Sequence, residues 1–201
     1  MRIGIFGGTF DPPHIGHLVL AAEARFQLDL EQVYWVLTPY PPHKPGVPLT
    51  PLEQRVAMVQ AAIAGEPGFR FSRVDLDRPP PHYALDTLRL LRASLPGSEL
   101  YYLMGGDSLR DLPAWHAPQE FVAACEGIGV MLRPGAEIDL EGINRQLPGV
   151  AEKVRFVTAP LLEISASDIR KRITQGKPFR YFLTPVVYEL IVKRGLYLER
   201  V

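Results

Sequence analysis

Gly7-Gly8-Thr9-Phe10-Asp11-Pro12-Pro13-His14-Ile15-Gly16-His17 follows directly on the apolar run Ile3-Gly4-Ile5-Phe6. The pattern predicts a short strand that ends in glycines, turns through prolines and enters a helix carrying two histidines three residues apart. Glycines let backbone N–H groups come close to a bound anion, and a helix start adds partial positive charge. Imidazoles placed there can donate hydrogen bonds to phosphate oxygens. The stretch therefore predicts a nucleotide phosphate site, with Leu18, Ala21 and Ala22 as the apolar face of the helix behind it.

Working outward, strand-like runs recur at Ile3–Phe6, Val33–Leu37, Phe69–Val74, Leu100–Met104, Ile128–Leu132 and Val154–Val157. Helical periodicity fills most of the gaps. Leu52, Val56, Val59 and Ile63 recur at helical steps after a capping box from Thr50 to Glu53, with Pro51 at the first helical position and Gly65 as the stop. Leu85, Leu88, Leu91 and Leu95 mark another helix beginning near Tyr83. Short strands alternating with helices predict a Rossmann-like, doubly wound, mostly parallel sheet with helices on both faces. The last forty residues break the alternation and predict two helices, at Ser167–Gln175 and Pro185–Arg194, the second capped by Thr184 and stopped by Gly195. The expected organisation is a single domain over residues 1–201, with its core in about 1–160 and a small helical portion in about 161–201. Pro39 to Pro48 is a ten-residue stretch with five prolines, expected as a stiffened active-site loop after the second strand.

Composition excludes several classes. Lys plus Arg number 22, as do Asp plus Glu, so zero net charge argues against a nucleic-acid groove or a polybasic membrane surface. Hydrophobic residues make up 47% of the chain, enough for a substantial core. A lone cysteine, Cys125, rules out an internal disulfide and is expected as a buried apolar residue. No run approaches the roughly 20 apolar residues of a membrane helix, and no signal peptide is visible, so a cytoplasmic protein is expected. Neither the P-loop pattern nor the G-x-G-x-x-G dinucleotide fingerprint occurs, and the second strand ends in Leu37-Thr38-Pro39 rather than in an acidic residue. His14 and His17 could share a metal on one helical face, but His43, His82 and His116 lie in other loops.

These residues resemble a known family. Gly7 to His17 is similar to the first signature of the nucleotidyltransferase superfamily with the paired-histidine motif. Ile164-Ser165-Ala166-Ser167-Asp168-Ile169-Arg170 resembles its second, written I-S-S-T-x-I-R. Pro42-His43-Lys44, His82 to Leu88, Gly106-Asp107-Ser108 and Leu112 to Trp115 are similar to the bacterial nicotinate mononucleotide adenylyltransferases in particular, and the matches run in order to Gly195-Leu196-Tyr197. The nearest sibling activity is phosphopantetheine adenylyl transfer, and a nucleotide sensor without turnover is the alternative of another class.

The resemblance implies transfer of the adenylyl group of ATP to nicotinate mononucleotide without a covalent enzyme intermediate. His14, His17, Lys44 and Arg170 are implied as catalytic. ATP is implied at Gly7, Gly8, Thr9, Phe10, His14, His17, Gly106, Asp107, Ile164, Ser165, Ser167 and Arg170. The mononucleotide is implied at His43, Lys44, Tyr83, Ala84, Trp115 and His116, with Tyr83 and Trp115 against the pyridine ring. Either Ser165 or Ser167 is expected to cap the second-signature helix, with Arg170 one turn in. Mg²⁺ is implied as a cofactor held mainly by the ATP phosphates and through water by Asp107, without protein ligands of its own. ATP and nicotinate mononucleotide are the implied partners, to the exclusion of nucleic acid and membrane, and a homo-oligomer stays open. Two departures, His82-Tyr83-Ala84 for Ser-Tyr-Thr and His116 for tyrosine, fall at the pyridine pocket and bear on the choice between acid and amide.

Overall fold

Six strands, β1 Arg2–Gly8, β2 Gln32–Leu37, β3 Phe69–Ser72, β4 Glu99–Gly105, β5 Gly127–Met131 and β6 Val154–Val157, hydrogen-bond in the order β3-β2-β1-β4-β5-β6. Every pair is parallel. The computed structural model describes residues 1–41, 46–131, 137–160 and 162–198. Its helices are α1 Ile15–Gln27, α2 Leu52–Ile63, α3 Ala84–Ser94, α4 Gly106–Asp111, α5 Pro118–Ala124, α6 Leu140–Gln146, α7 Val150–Lys153, α8 Ala166–Thr174 and α9 Pro185–Arg194. Among the described residues no helix is long and apolar enough to cross a membrane.

Strand side chains alternate between two cores, as a period of two requires. Ile3, Ile5, Leu100, Tyr102 and Ile128 meet Leu85, Leu88 and Leu91 of α3 and Phe121 of α5 on one face. Phe6, Val33, Trp35, Leu37 and Leu103 meet Leu20, Ala21 and Ala24 of α1 and Val59 and Ile63 of α2 on the other. A third cluster joins Met58 of α2 to Ile169 and Ile173 of α8 and to Val187 and Ile191 of α9. This doubly wound parallel sheet is the expected fold class, and α8 and α9 are the expected C-terminal helices. Thr184 caps α9 and Gly195 ends it with φ +61°. Cys125 is buried, and burial pushes its thiol up to about 12, which suits a packing residue and not a nucleophile.

Local details differ from the sequence expectations. The buried face of α1 is Leu20, Ala21 and Ala24, while Ala22 is exposed because the helix begins at Ile15 with His14 as its cap. The third strand stops at Ser72, where Leu76 and Asp77 N–H groups turn back onto the Arg73 carbonyl. Thr50 does not cap α2: its N–H donates to Asp11 Oδ2 at 3.1 Å and its carbonyl accepts from Arg55. Gly65 does not adopt a left-handed stop, since α2 ends at Ile63 with Ala64 still in helical geometry.

Two buried polar groups fix the loops at the carboxyl edge of the sheet. Arg55 on α2 is 2% exposed, and its guanidinium donates to four carbonyls: Thr50 at 3.0 Å, Thr9 at 3.2 Å, Thr38 at 3.1 Å and Pro39 at 2.9 Å. One side chain thus ties the loop after β1 to the loop after β2. Burial lowers the Arg55 pKa, and the Asp11 carboxylate opposes that shift. Asp11 is itself buried and accepts from the Thr50 N–H and, at 2.7 Å, from the Tyr197 hydroxyl. Burial, followed by the charge of Asp11, raises the Tyr197 pKa and keeps that hydroxyl a donor.

Arg55→Met should lower the unfolding free energy by about 3 kcal/mol or more, because four carbonyls lose a charged donor and Asp11 loses a neighbouring cation. The check is a fall in the urea midpoint with an unchanged slope. Tyr197→Phe removes one hydrogen bond to a carboxylate and should cost less, about 1.5 kcal/mol. An unshifted midpoint in either variant would show that these contacts do not anchor the loops.

Candidate active site

The strand order turns outward in both directions from β1 and β4, and a cavity of about 720 Å³ lies at the carboxyl ends of these strands. Crevices at such switch points are where open parallel sheets take ligands. The volume falls in the usual range for small-molecule sites.

One wall comes from β1 and α1. Gly7 and Gly8 belong to the strand, and the turn beyond them is made by Phe10 in the left-handed region, with φ +48°. Gly8 has a packing role besides the one expected of it at an anion. A Cβ there would lie 2.9 Å from the Phe10 ring, so the missing side chain lets that ring fold back into the core. Thr9, Phe10 and both glycines nonetheless face the cavity.

His14 is the N-cap of α1, with extended backbone at φ −142°, and its carbonyl accepts the His17 N–H at 2.9 Å. Its own N–H donates to Nδ1 of His17 at 3.1 Å. A neutral imidazole that accepts at Nδ1 carries its proton on Nε2, so the helix start fixes which nitrogen of His17 can donate. The two rings lie 3.7 Å apart at 30°, and His17 also packs against Phe6 and Phe10. Both histidines line the cavity beside the first turn of α1, where free N–H groups concentrate positive potential.

The opposite wall of this half is the start of α8. Ser165, not Ser167, is the N-cap: its hydroxyl accepts from the Asp168 N–H at 3.1 Å and donates to the Asp168 carboxylate at 2.6 Å. Ser167 stays within 2.9 Å of Ser165 and also faces the cavity, as does Ile164. Arg170 donates from one Nη to the Asp11 carbonyl at 2.6 Å. Residues 159 positions apart are thereby joined, and the guanidinium is held half-buried on the wall facing the histidines.

The other half of the cavity is aromatic. Tyr83, Ala84, Trp115 and His116 all line it. Tyr83 stacks on His116 at 4.0 Å and 16°, so one face of the tyrosine is already covered by this chain's own imidazole. Trp115 packs edge-on against Tyr102 and Phe121, which fixes its plane through the core. Asp107 lies on the cavity in the first turn of α4, exposed, with Arg110 at 3.2 Å. Gly106 is buried at the start of that helix, behind the wall that Gly105 and Asp107 form. His43 and Lys44 lie outside the described residues.

Sequence reasoning passed over several groups that shape this site. Asp75 is buried and takes Arg78 Nη2 at 2.9 Å and the Thr87 hydroxyl at 2.7 Å. The remaining donors of Arg78 go to the carbonyls of Pro81 and Tyr83, fixing the loop that carries the aromatic wall. Arg55 and Tyr197 do the same for the phosphate-side loops. An available signal was the spacing of Arg55, Met58 and Val59, which puts the arginine on the buried side of α2.

Comparison with known proteins agrees with this arrangement. The cytidylyltransferase-like family model matches residues 5–172. A "Probable nicotinate-nucleotide adenylyltransferase" of Thermomicrobium roseum is 47% identical over 98% of this chain and 91% of its own length. Another, of Shouchella clausii, is 40% identical over 98% of this chain and 96% of its own. Among solved structures, the Plasmodium falciparum nicotinic acid mononucleotide adenylyltransferase complexed with NaAD superposes with a TM-score of 0.79, covering 99% of this chain and 98% of that one at 22% identity. That likeness speaks to the fold. With a family model spanning most of the chain and full-length relatives well above 30% identity, the chain belongs to the nicotinate-nucleotide adenylyltransferases, a nucleotidyltransferase family of the cytidylyltransferase-like type.

Proposed function

We propose that this enzyme joins the adenylyl group of ATP to nicotinate mononucleotide, giving nicotinate adenine dinucleotide and pyrophosphate. The observation that carries the reading is the convergence of His14, His17 and Arg170 on one half of a cavity whose other half is aromatic. An oxygen of the mononucleotide 5′-phosphate attacks the α-phosphorus of ATP in line. The bond from that phosphorus to the oxygen bridging the β-phosphate breaks, and its electron pair leaves with pyrophosphate. The attacking phosphate is already a competent nucleophile, so this chain's task is positioning and charge neutralisation.

His17 then donates from Nε2 and, with His14 beside it, meets the α- and β-phosphate oxygens as charge moves onto the leaving group. Arg170, oriented by its bond to the Asp11 carbonyl, forks onto the β- and γ-phosphates from the opposite side. Ser165, Ser167 and Ile164 border the same phosphates at the start of α8. The strand-one turn, Gly7 to Phe10, holds the nucleotide, with Asp107 beside its ribose and Gly106 supporting that wall from behind. Tyr83, Ala84, Trp115 and His116 receive the pyridine, while His43 and Lys44 are assigned to the mononucleotide, and Lys44 to catalysis as well, from the family resemblance alone.

Among the described residues no group of three or more His, Cys, Asp and Glu could hold a metal ion. Asp107 is an exposed carboxylate on the cavity and fits a water-mediated contact to a cation that arrives with the nucleotide. When bound, Mg²⁺ supplies charge neutralisation between phosphates. Because the bond from Arg170 to the Asp11 carbonyl ties the C-terminal helical portion to the first loop, residues 1–201 are read as a single catalytic domain; a cytoplasmic setting is proposed from the sequence alone.

Purified protein with Mg-ATP should release pyrophosphate only when the mononucleotide is added, and no turnover on either the acid or the amide form would end the reading. His17→Ala should lower kcat by about 100-fold or more while the KM for ATP changes far less, as for loss of one transition-state donor. Unchanged kcat would remove His17 from the mechanism.

A further inference from the structure

His82 stands out on the aromatic side of the cavity. It is 4% exposed, lines the cavity, and neither Nδ1 nor Nε2 has a hydrogen-bond partner among the described residues. Buried polar groups in folded proteins are overwhelmingly paired, because an unpaired one forfeits its hydration for nothing. The surrounding loop makes the exception sharper. Asp75, Arg78 and Thr87 satisfy one another, and Arg78 also takes the carbonyls of Pro81 and Tyr83, the residues on either side of His82. The backbone of His82 is thus gripped on both flanks while its ring is left over. The ring has Tyr40 as an aromatic neighbour, with centroids 6.1 Å apart.

We infer that the His82 imidazole donates a hydrogen bond to the anionic substituent on the acceptor's ring, and so sets a preference for the acid mononucleotide over the corresponding amide. The inference rests on the function proposed above. A neutral imidazole offers one N–H whichever tautomer it adopts. A carboxylate accepts only, whereas a carboxamide also presents N–H groups that find no use for a donor. His82 directly precedes Tyr83, the N-cap of the eleven-residue helix α3, whose first N–H groups likewise favour a negative charge. Ring and helix start therefore select for the same feature, and neither contact requires the side chain of Ala84.

The experiment compares kcat/KM on nicotinate and nicotinamide mononucleotides for the wild type, His82→Phe and His82→Gln, with saturating Mg-ATP. In His82→Phe the value for the acid should fall about 10- to 100-fold, as for loss of a hydrogen bond to a charged group. The fall should lie mainly in KM, with the amide nearly unaffected, so that the acid-to-amide ratio drops by about the same factor while the KM for ATP holds. His82→Gln keeps an N–H donor and should recover part of the ratio. Ratios equal to wild type in both variants would overturn the inference and leave adenylyl transfer standing.

Should the phenylalanine variant fold poorly, the glutamine variant and a direct readout decide. Adding the acid mononucleotide to wild-type enzyme should move the His82 ring ¹⁵N resonances, and resonances that stay put would overturn the inference. A wild type inactive on both mononucleotides would overturn the proposed function, and this inference with it.

Discussion

A guanidinium taken out of water must recover its hydration from the protein, and among the described residues Arg55 does so from main-chain carbonyls. Thr9 follows β1, Thr38 and Pro39 follow β2, and Thr50 precedes α2, so the positions of three separate segments are referred to a single planar group. The five N–H donors of arginine point in fixed directions, which makes it a rigid bracket where lysine would be a flexible point charge. Asp11 supplies the opposing charge nearby, and through it the bracket reaches Tyr197 and the Arg170 contact. The phosphate-side wall follows from that arrangement. His14 and His17 sit at the end of a loop whose beginning Arg55 holds.

The two halves of the cavity are built by different physics. On the phosphate side, helix starts, main-chain carbonyls and charged side chains set the geometry; the His17 ring is locked by its bond from the His14 N–H and by Phe6 and Phe10, and the His14 ring lies against it. On the acceptor side, edge-on aromatic packing from Phe121 through Tyr102 to Trp115 transmits the rigidity of the core to the wall. Tyr83 and His116 form a stack outside it. A site held this way needs little reorganisation to meet a ligand, which is where pre-organised sites gain.

How much of this could be read from the sequence depends on range. All six strands and the cap and stop of α9 were legible, since alternating apolar residues, Thr184, Pro185 and Gly195 act locally. The paired histidines at the start of α1 were legible for the same reason, and the cap of α8 only as a choice between Ser165 and Ser167. Thr50 misled because a distant carboxylate, Asp11, competes for its N–H, and the packing role of the β1 glycines was hidden because Phe10 and Tyr102 reach them only in the folded chain. The spacing of Arg55 marked it only as lying on the buried side of α2; its role stayed hidden because its four partners are carbonyls, which leave no mark in a sequence. The unpaired ring of His82 was invisible likewise, because only the packed loop shows that its neighbours are already satisfied.

The bond from Tyr197 to Asp11 closes a loop of 186 residues. Contacts of such separation form late and slow folding, since chain entropy must be surrendered before they return anything. During synthesis the sheet can assemble strand by strand, yet the Asp11 turn lacks its last partner until Tyr197 emerges. The Asp11 turn, which the Thr50 and Arg170 contacts also hold, is thus completed by a part of the chain far removed from it in sequence.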